Sequence, residues 1–310
     1  MNNTMMNKST AATASHYNDA FWNVMRGSTQ TYKVMEAAKE FANDTYLFPT
    51  KTASRISAAM KRTNLFRQLG TVMVGRPGDA DFWMGDVDDR PQWVPEGGSI
   101  PEGRDTLGPR QKVRSHKLAI ITSLDLDYVN EATFDLESYL VGRFAKIFGK
   151  AEEDAFINGT GVSMPKGILH DTDGAETGVT VSGDITFDDM LRLYFSLDKQ
   201  YRASGVWLMN DETALKLKML KDQNGQYLWN QNSDTILGKP VHISEHMPSG
   251  GKPVAFGDFS YYYIIDRVPL TIRTLVEKYM LRGKMGYLGV EFLDGMLIRP
   301  EAVKVLKVGQ

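Results

Sequence analysis

The sequence has no cysteine among its 310 residues. This absence excludes disulfide scaffolds, iron–sulfur clusters, thiolate zinc sites and cysteine nucleophiles. The chain also lacks any apolar run near the roughly 20 residues that a membrane span requires. Its Asn-, Thr- and Ser-rich start over residues 1–17 lacks the apolar segment of a secretory signal. We therefore expect a soluble protein that is made inside a cell and does not depend on redox chemistry.

The chain also has no large excess of charge of either sign, because it contains 36 Lys and Arg residues and 38 Asp and Glu residues. A dedicated nucleic-acid coat would be far more basic. Within residues 1–70, however, basic residues outnumber acidic residues by nine to four. Two interpretations of that segment stay open: a solvated basic arm, or an arm that lies against an acidic neighbour or nucleic acid.

Motifs for catalysis or metal binding are also lacking. Gly98-Ser99 and Ser163 have no second glycine to form a nucleophile elbow, and residues 158–161 lack the lysine and serine of a phosphate loop. His242 and His246 are spaced like helical metal ligands, but the neighbouring prolines and glycine argue against a helix. An acidic cluster without calcium-loop spacing is interpreted as a solvated hairpin edge: Asp79, Asp81, Asp86, Asp88 and Asp89. We predict no enzyme, no cofactor and no metal site.

The first half of the chain contains several helical patterns. Residues 1–15 are expected to be disordered or extended, and residues 17–42 predict one or two short helices in a flexible arm. Thr50–Leu69 predicts one amphipathic helix. The strongest pattern predicts a long helix with Thr133 as its N-cap and Gly159 as its stop.

Glycine and proline punctuate residues 71–117, so a long helix cannot persist there. Apolar–polar alternation at 82–84 and again at 113–121 flanks this region and predicts a long β-hairpin with an irregular tip. An isolated two-stranded ribbon is marginal in water. We therefore expect the hairpin to lie on something outside its own core.

The second half predicts alternating short helices and strands, and hence a mixed α+β fold with a mainly antiparallel sheet. A helix is expected over 186–201, a buried strand over 205–209, and a helix over 211–220 with Asn210 as its N-cap. Further strands are expected over 254–256 and 261–265. The tail over 270–308 is strand-like, with expected interruptions at Gly283, Gly286, Gly289 and Gly295.

Short motifs follow one another in a fixed order from residue 46 to the end of the chain. They are Tyr46–Pro49, Trp93–Glu102, Ala151–Gly161 with Pro165–Leu169, Asp222–Tyr227, Leu237–Val241 and Arg299-Pro300. In this order they resemble the major capsid proteins of tailed bacteriophages, which have the Hong Kong 97-type fold. Each motif alone is weak, and their common order carries the resemblance. Trp93–Glu102 is similar to the tip of the family's extended loop.

The resemblance implies an α+β phage major capsid fold with an N-terminal arm, an extended β-hairpin loop, a peripheral domain with a long spine helix, and an axial domain. The expected divisions are listed in chain order: the arm over 1–45, the start of the peripheral domain over 46–81, the extended loop over 82–117, the peripheral domain with its spine helix over 118–165, the axial domain over 166–271, the peripheral return strands over 272–297, and the axial C-terminal strand over 298–310.

The function that the resemblance implies is structural. The chain would self-assemble as hexamers and pentamers into the icosahedral head that encloses a double-stranded DNA genome, without sequence-specific DNA binding. It would be made in the cytoplasm of a bacterial host and reside in the virion. Expected partners are further copies of itself, a separate scaffolding protein, a maturation protease, a portal protein and a decoration protein.

Two alternatives stay open. An encapsulin-type nanocompartment shell has the same fold, although the long hairpin over 82–117 argues against its shorter loop. An α+β small-molecule enzyme would need a pair of carboxylates in a cleft, which the sequence does not exclude.

The hairpin tip is where contacts between copies are expected, because apolar residues there have no core of their own. The candidate contact residues are Trp93, Val94, Pro95, Glu96, Ile100 and Glu102. Some family members join subunits by a Lys–Asn isopeptide bond with the help of a carboxylate. Here the first lysines are Lys112 and Lys117, near the hairpin base, and residues 281–291 offer Glu291 but no asparagine. We therefore expect a shell held by non-covalent contacts.

Overall fold

The computed structural model describes residues 17–28, 46–75, 81–85, 93–100, 107–131, 133–229 and 234–309. Its helices range from a single turn to a rod of 23 residues. In chain order they are α1 (17–25), α2 (Thr50–Thr63), α3 (Phe66–Leu69), α4 (Leu126–Asn130), α5 (Leu136–Asn158), α6 (Phe187–Ser196), α7 (Lys199–Arg202), α8 (Asp211–Lys218) and α9 (Val276–Tyr279).

The strands of these residues form two sheets and a separate ribbon. In chain order they are β1 (Tyr46–Leu47), β2 (Thr71–Val74), β3 (Asp81–Gly85), β4 (Leu107–Lys112), β5 (His116–Asp125), β6 (Glu176–Ser182), β7 (Val206–Met209), β8 (Thr235–Ile236), β9 (Lys239–Ile243), β10 (Val254–Gly257), β11 (Tyr262–Leu275), β12 (Lys284–Leu297) and β13 (Val303–Gly309). The first sheet has the order β1-β11-β12-β5, with β2 parallel to β11. The second has the order β6-β13-β10-β7-β9-β8. Most pairs are antiparallel, as predicted.

The long helix α5 packs across the first sheet. Its Leu140, Phe144 and Phe148 are buried in one cluster with Ile272 of β11 and with other residues of that sheet. A side chain at Gly289 of β12 would place its Cβ 2.9 Å from Phe144 and 3.2 Å from Phe148. Glycine is therefore required at this position because the two aromatic rings occupy the space of a β-carbon.

The tail is more regular than the sequence predicts. Of the four glycines expected to interrupt it, Gly283 alone lies in a turn, at φ 64°. Gly286, Gly289 and Gly295 lie inside the continuous strand β12. The prediction of interruptions at these three positions is wrong, because the glycines make room for aromatic rings instead of breaking the strand.

The start of the long helix also differs from the prediction. Asp135, and not Thr133, is the N-cap, since the Asp135 side chain accepts a hydrogen bond from Ser138 N at 3.0 Å. Thr133 instead donates to Glu131 Oε1 at 2.7 Å. Both are common capping residues. Phe134, between these two positions, contacts the rings of Tyr128 in α4 and Tyr139 in α5.

Part of the predicted arm is docked on the first sheet. In α1, Phe21, Val24 and Met25 are buried in the same cluster as the long helix, and Tyr287 donates to the carbonyl of Met25 at 3.0 Å. The prediction of a flexible arm is therefore wrong for residues 17–28. Apolar residues at helical spacing give α1 one face, and the sheet offers the apolar surface that covers it. Residues 1–16 and 29–45 lie outside the described residues.

Some basic residues among residues 1–70 form contacts within the chain. Arg26 donates to the carbonyls of Val129 and Phe134, at 2.7 and 3.2 Å. Arg55 binds Glu137 at 2.7 Å. Arg26 and Arg55 therefore bind groups of the same chain, which neither the solvated arm nor the arm against an acidic neighbour or nucleic acid had included.

The return strand of the hairpin lies earlier in the chain than the sequence predicts. β4 is the strand that pairs with β3, whereas β5 pairs with β12 over its whole length, from His116 opposite Leu293 to Asp125 opposite Lys284. The prediction that residues 113–121 form the return strand is therefore wrong. Alternation reveals a strand but not its partner, and β5 joins the first sheet beside β12 with alternate side chains turned inward.

The second sheet carries the elements predicted for the second half. Asn210 caps α8, as expected, and Thr186 and Asp189 form a capping box at the start of α6. The helix predicted over 186–201 is divided, because Leu197 adopts an extended conformation before α7 begins. Trp207, Phe256 and Met190 are fully buried in the core of this sheet.

The capping assignment generates a stability prediction. Asp135→Ala should lower the free energy of unfolding by about 1 kcal/mol, because Ser138 N loses its acceptor. Hydrogen bonds from Ser138 also lower the pKa of Asp135, so this stabilisation is present above the unfolded-state pKa and is lost as the pH falls through the folded-state value. Urea unfolding of the disassembled chain at pH 7 measures the change. Thr133→Ala is the control, and an equal loss in that variant would contradict the assignment.

Candidate assembly surface

The hairpin is fixed to the body of the protein at its base. Its strands pair from Asp81 opposite Lys112 to Gly85 opposite Leu107. Val113 follows directly and is fully buried with Ile265 and Met296. Arg267 donates to the Val113 carbonyl at 2.9 Å. The base is therefore rigidly held, while β3 and β4 pair with no other strand in the described part of the chain.

The hairpin tip, which we define as residues 93–100, adopts a defined turn. Gly98 N donates to the Pro95 carbonyl at 2.9 Å. Gly97 has φ 78°, in the left-handed region that glycine adopts without strain. The turn therefore depends on the Gly97-Gly98 pair.

The side chains of the hairpin tip face solvent. Trp93 is 104% exposed and Ile100 is 82% exposed. Large apolar side chains exposed this fully indicate a contact surface when they occur together. Five of the six predicted contact residues are exposed in this segment, namely Trp93, Val94, Pro95, Glu96 and Ile100. The sixth, Glu102, lies outside the described residues.

A groove lies beside the hairpin base, between β5, the end of α5 and the loop over 161–165. Its first part has a volume of about 240 Å³. Apolar side chains dominate its lining: Leu118, Ala151, Ala155, Met164, Pro165 and Leu293. We call this part the apolar half of the base groove.

A second cavity, of about 250 Å³, shares His116 with the first as a lining residue. Lys112, Arg114 and Lys166 line it together with one acid, Asp294, and Lys166 is paired with Asp173 at 2.8 Å. Asp294 already accepts a hydrogen bond from Arg114 N at 2.6 Å. We call this part the cationic half of the base groove.

A buried cluster of charged side chains lies behind the groove. Arg67 of α3 binds Glu152 of α5 with N–O distances of 2.5 and 2.6 Å, and Asp266 of β11 at 2.9 and 3.0 Å. Asn64 donates to Glu152 at 2.9 Å and caps α3 by accepting from Phe66 N at 2.9 Å. The single helix predicted over Thr50–Leu69 is therefore broken at Asn64, and the break turns Arg67 toward the long helix.

Glu153, the next residue of α5, connects the long helix to the second sheet. It accepts from Ser244 Oγ at 2.5 Å and from Leu65 N at 2.9 Å. In the sequence, Glu152 and Glu153 stand out only as part of a resemblance motif. They begin a run of three acids with Asp154, and Asp154 is exposed whereas the two glutamates are buried and paired. The run alone does not show which of its acids are buried.

Glu291 of β12 is the third acid of this cluster. Burial, together with the charge of Glu152, raises the pKa of Glu291 well above its usual value. Arg67 is already paired with Glu152 and Asp266, so a third negative charge would have no counterion here. Glu291 Oε1 has no hydrogen-bond partner among the described residues. A neutral, protonated Glu291 fits this environment.

The histidines considered as metal ligands lie in different settings. His242 is on β9, where burial lowers its pKa. His246 lies 3.7 Å from both Asp154 and Glu245. No group of three or more metal-binding side chains occurs within the described residues. Of the acidic cluster considered earlier, Asp79, Asp86, Asp88 and Asp89 lie outside those residues.

Comparison with known proteins gives a consistent result. The family model described as "Phage capsid family" matches residues 44–308. The capsid of an empty GTA particle is 26% identical, with a TM-score of 0.64 over 80% of this chain and 90% of that chain. The capsid of a native GTA particle is 24% identical, with a TM-score of 0.65 over 87% and 95%. A structure from Mycobacterium phage Bobi has 16% identity and a TM-score of 0.57 over 80% and 91%. No curated protein sequence matches.

Two sheets, a long helix across the first sheet and a separate hairpin are thus the architecture of a capsid shell protein. Because the family model spans most of the sequence, the chain belongs to the phage capsid family, as a major capsid protein of tailed-phage type. It is a structural component of the virion, and the alternative of a small-molecule enzyme is excluded. None of the described helices combines the length and apolarity needed to cross a bilayer.

The buried acid cluster generates a prediction on pH. Since the folded-state pKa of Glu291 is raised, its contribution to stability is complete below the unfolded-state pKa and is lost as the pH rises through the folded-state value. Glu291→Gln mimics the protonated form, so the variant should be at least as stable as the wild type at pH 8 and should lose this pH dependence.

Thermal unfolding of the disassembled chain between pH 5 and 9 measures this effect. Glu152→Gln is the matched control, because it removes the main partner of buried Arg67 and should cost about 3–5 kcal/mol. A Glu291→Gln variant as unstable as Glu152→Gln at pH 8 would show that Glu291 is ionised in the folded protein.

Proposed function

We propose that the chain assembles as hexamers and pentamers into an icosahedral head that encloses double-stranded DNA without reading its sequence. The observation that carries this proposal is the hairpin tip, where Trp93 and Ile100 are exposed on a ribbon with a rigid base. Exposure of such an apolar surface to water is unfavourable in free energy, and this cost is removed when another molecule covers the surface. In a shell, the next copy of the chain covers it.

The proposed contact residues are Trp93, Val94, Pro95, Glu96, Ile100 and Glu102. Interface hot spots are enriched in tryptophan, which brings a large apolar surface with few rotatable bonds. Identical contacts repeated around a ring then build each hexamer or pentamer.

The proposed domains keep the boundaries expected from the sequence: the arm over 1–45, the peripheral domain over 46–81, 118–165 and 272–297, the extended loop over 82–117, and the axial domain over 166–271 and 298–310. The membership of β5 and β12 in the first sheet, and of β10 and β13 in the second, supports this division. The strand β11 crosses the proposed boundary at residue 271.

We further propose that the chain is made in the bacterial cytoplasm and acts with a scaffolding protein, a maturation protease, a portal protein and a decoration protein. Expression with and without the phage's own scaffolding protein, followed by negative-stain microscopy and analysis of the contents, tests the function. We expect closed shells that can hold DNA. Shells that enclose a protein cargo would favour the encapsulin alternative, and particles no larger than a monomer in both conditions would refute the proposal.

Removal of the exposed indole should weaken assembly. Trp93→Ala is expected to cost about 2 kcal/mol or more per contact, which raises the critical concentration for assembly roughly 30-fold. Light scattering measures that concentration, and circular dichroism checks that the fold is unchanged. Trp93→Phe, which keeps an aromatic ring, should recover much of the loss. Assembly of Trp93→Ala at the wild-type concentration would rule the tip out as a contact.

Covalent joining of subunits is not expected. The hairpin tip has no lysine, and residues 281–291 have no asparagine, so two of the three groups needed for an isopeptide are missing. Glu291 is the third, and it is buried. Mature particles boiled in SDS should therefore run as one band at the chain mass of 34.8 kDa. A ladder of larger species would contradict this prediction, because the chain has no cysteine to explain it.

A further inference from the structure

We propose that a cavity between α2 and the irregular part of β11, which we call the α2–β11 cavity, binds a short aliphatic amine as its ammonium ion. The apolar walls of the cavity would hold the alkyl chain, and the carboxylates of Asp266 and Glu291 would hold the charge. This site goes beyond the proposed shell function, because a single copy of the chain supplies all of its lining residues.

The α2–β11 cavity has a volume of about 110 Å³. At roughly 30 Å³ for each water-sized group, it has room for a ligand of about four such groups. Its charged lining residues are Arg67, Asp266 and Glu291. Both elements supply apolar walls, α2 through Ala53, Ile56 and Met60 and β11 through Val268, Pro269 and Leu270. A small molecule with an alkyl body and one charged end therefore matches the cavity.

An irregularity of the first sheet lies at this cavity. The pairing of β11 with β12 shifts at Pro269 and Leu270, which together oppose the single residue Glu291. Pro269 also has no N–H to donate to a neighbouring strand. Bulges of this kind bend a strand and re-aim side chains, and they are over-represented beside functional sites. We therefore interpret the cavity as a feature that the bulge builds into the sheet.

Glu291 is the acid of the cavity that lacks a hydrogen-bond partner. It is 3% exposed, and its Oε1 atom has no partner among the described residues. A buried polar atom in this state costs free energy, which a donor brought by a ligand would recover. Asp266 keeps 24% of its side chain exposed, so an entering ligand reaches this carboxylate first. An ammonium group has three donors, enough for both acids.

The charges around Glu291 favour a cation over an anion. The charged groups that act on Glu291 are Glu152, Asp266 and Arg67, and the α2 part of the cavity lining is uncharged. Each guanidinium nitrogen of Arg67 already donates to Glu152 or Asp266. An anion would therefore meet an occupied guanidinium and three acids, whereas a cation would be attracted.

Binding of the ammonium ion should release a proton from Glu291. Burial and the charge of Glu152 raise the pKa of Glu291, so the free site holds this side chain protonated. A cation beside the carboxyl group favours its ionised form. The affinity should therefore rise with pH, by up to about tenfold per pH unit, until the pH passes the folded-state pKa of Glu291.

Isothermal titration calorimetry of the full chain with butylamine tests the site. Titrations at pH 7 in two buffers that differ in ionisation enthalpy count the protons released on binding. Because a ligand with so few atoms binds weakly, the amine is used at millimolar concentration. We expect binding, release of about one proton per amine, and no comparable binding of butanol, which has the alkyl chain without the charge.

Variants locate the ligand within the chain. Glu291→Gln should weaken binding about tenfold or more at pH 8 and abolish the proton release. Ala53→Leu fills the cavity from α2 and should remove binding. Ala58→Leu is the matched control, because Ala58 is an equally exposed alanine of the same helix that does not line the cavity, and it should bind as the wild type does.

Four results would overturn the site: no binding of butylamine, equal binding of butanol, an equal effect of sodium chloride at the same ionic strength, or wild-type affinity in Ala53→Leu. If Glu291→Gln does not fold, the two alanine variants still decide the question. Since the titrations are made on the disassembled chain, none of these results depends on whether the chain forms shells.

Discussion

The ion pairs of Arg67 hold the parts of this protein in their relative positions. One guanidinium joins α3, the long helix α5 and strand β11 through Glu152 and Asp266. Loss of a single partner would leave a buried charge, which is far more costly than the loss of a surface ion pair. Glu153 extends the same stretch of helix to Ser244 beside the second sheet. The end of α5 is thereby fixed to both sheets, and the base groove is formed where these elements meet.

This rigid body contrasts with the hairpin that extends from it. Phe144 and Phe148 pack directly over Gly289, so the helix and the first sheet form a close-packed unit. The hairpin is anchored through Val113, yet its tip presents Trp93 and Ile100 to solvent. The protein thus has a stable core that does not need a partner and an apolar surface that does. A shell subunit requires both, since its fold must persist while its contacts are repeated in different surroundings.

Local sequence patterns predicted much of this fold. Helical spacing identified α2, α5 and the region of α6, and the capping residue Asn210 identified the start of α8. The order of weak motifs indicated the family whose model matches residues 44–308. These features depend on residues close together in the sequence, where periodicity and capping chemistry are informative.

The errors arose where distant residues decide the structure. Alternation over 113–121 could not reveal that β12 is the partner of β5, and the glycines of β12 could not be distinguished from strand breakers without Phe144 and Phe148 above them. The role of Arg67 required three elements that are far apart in sequence. The tip residues were recognisable as candidates because exposed tryptophan on a Gly/Pro-rich ribbon is unusual, whereas the groove depends on the tertiary fold.

The central claim is that the exposed side chains of the hairpin tip become buried against another copy of the chain. Cryo-electron microscopy of particles assembled from the full chain tests this claim most directly, because it locates Trp93 relative to the subunit boundaries. We expect the indole of each copy to be buried against the neighbouring copy. A shell in which Trp93 stays in solvent, or packs against its own chain, would contradict it.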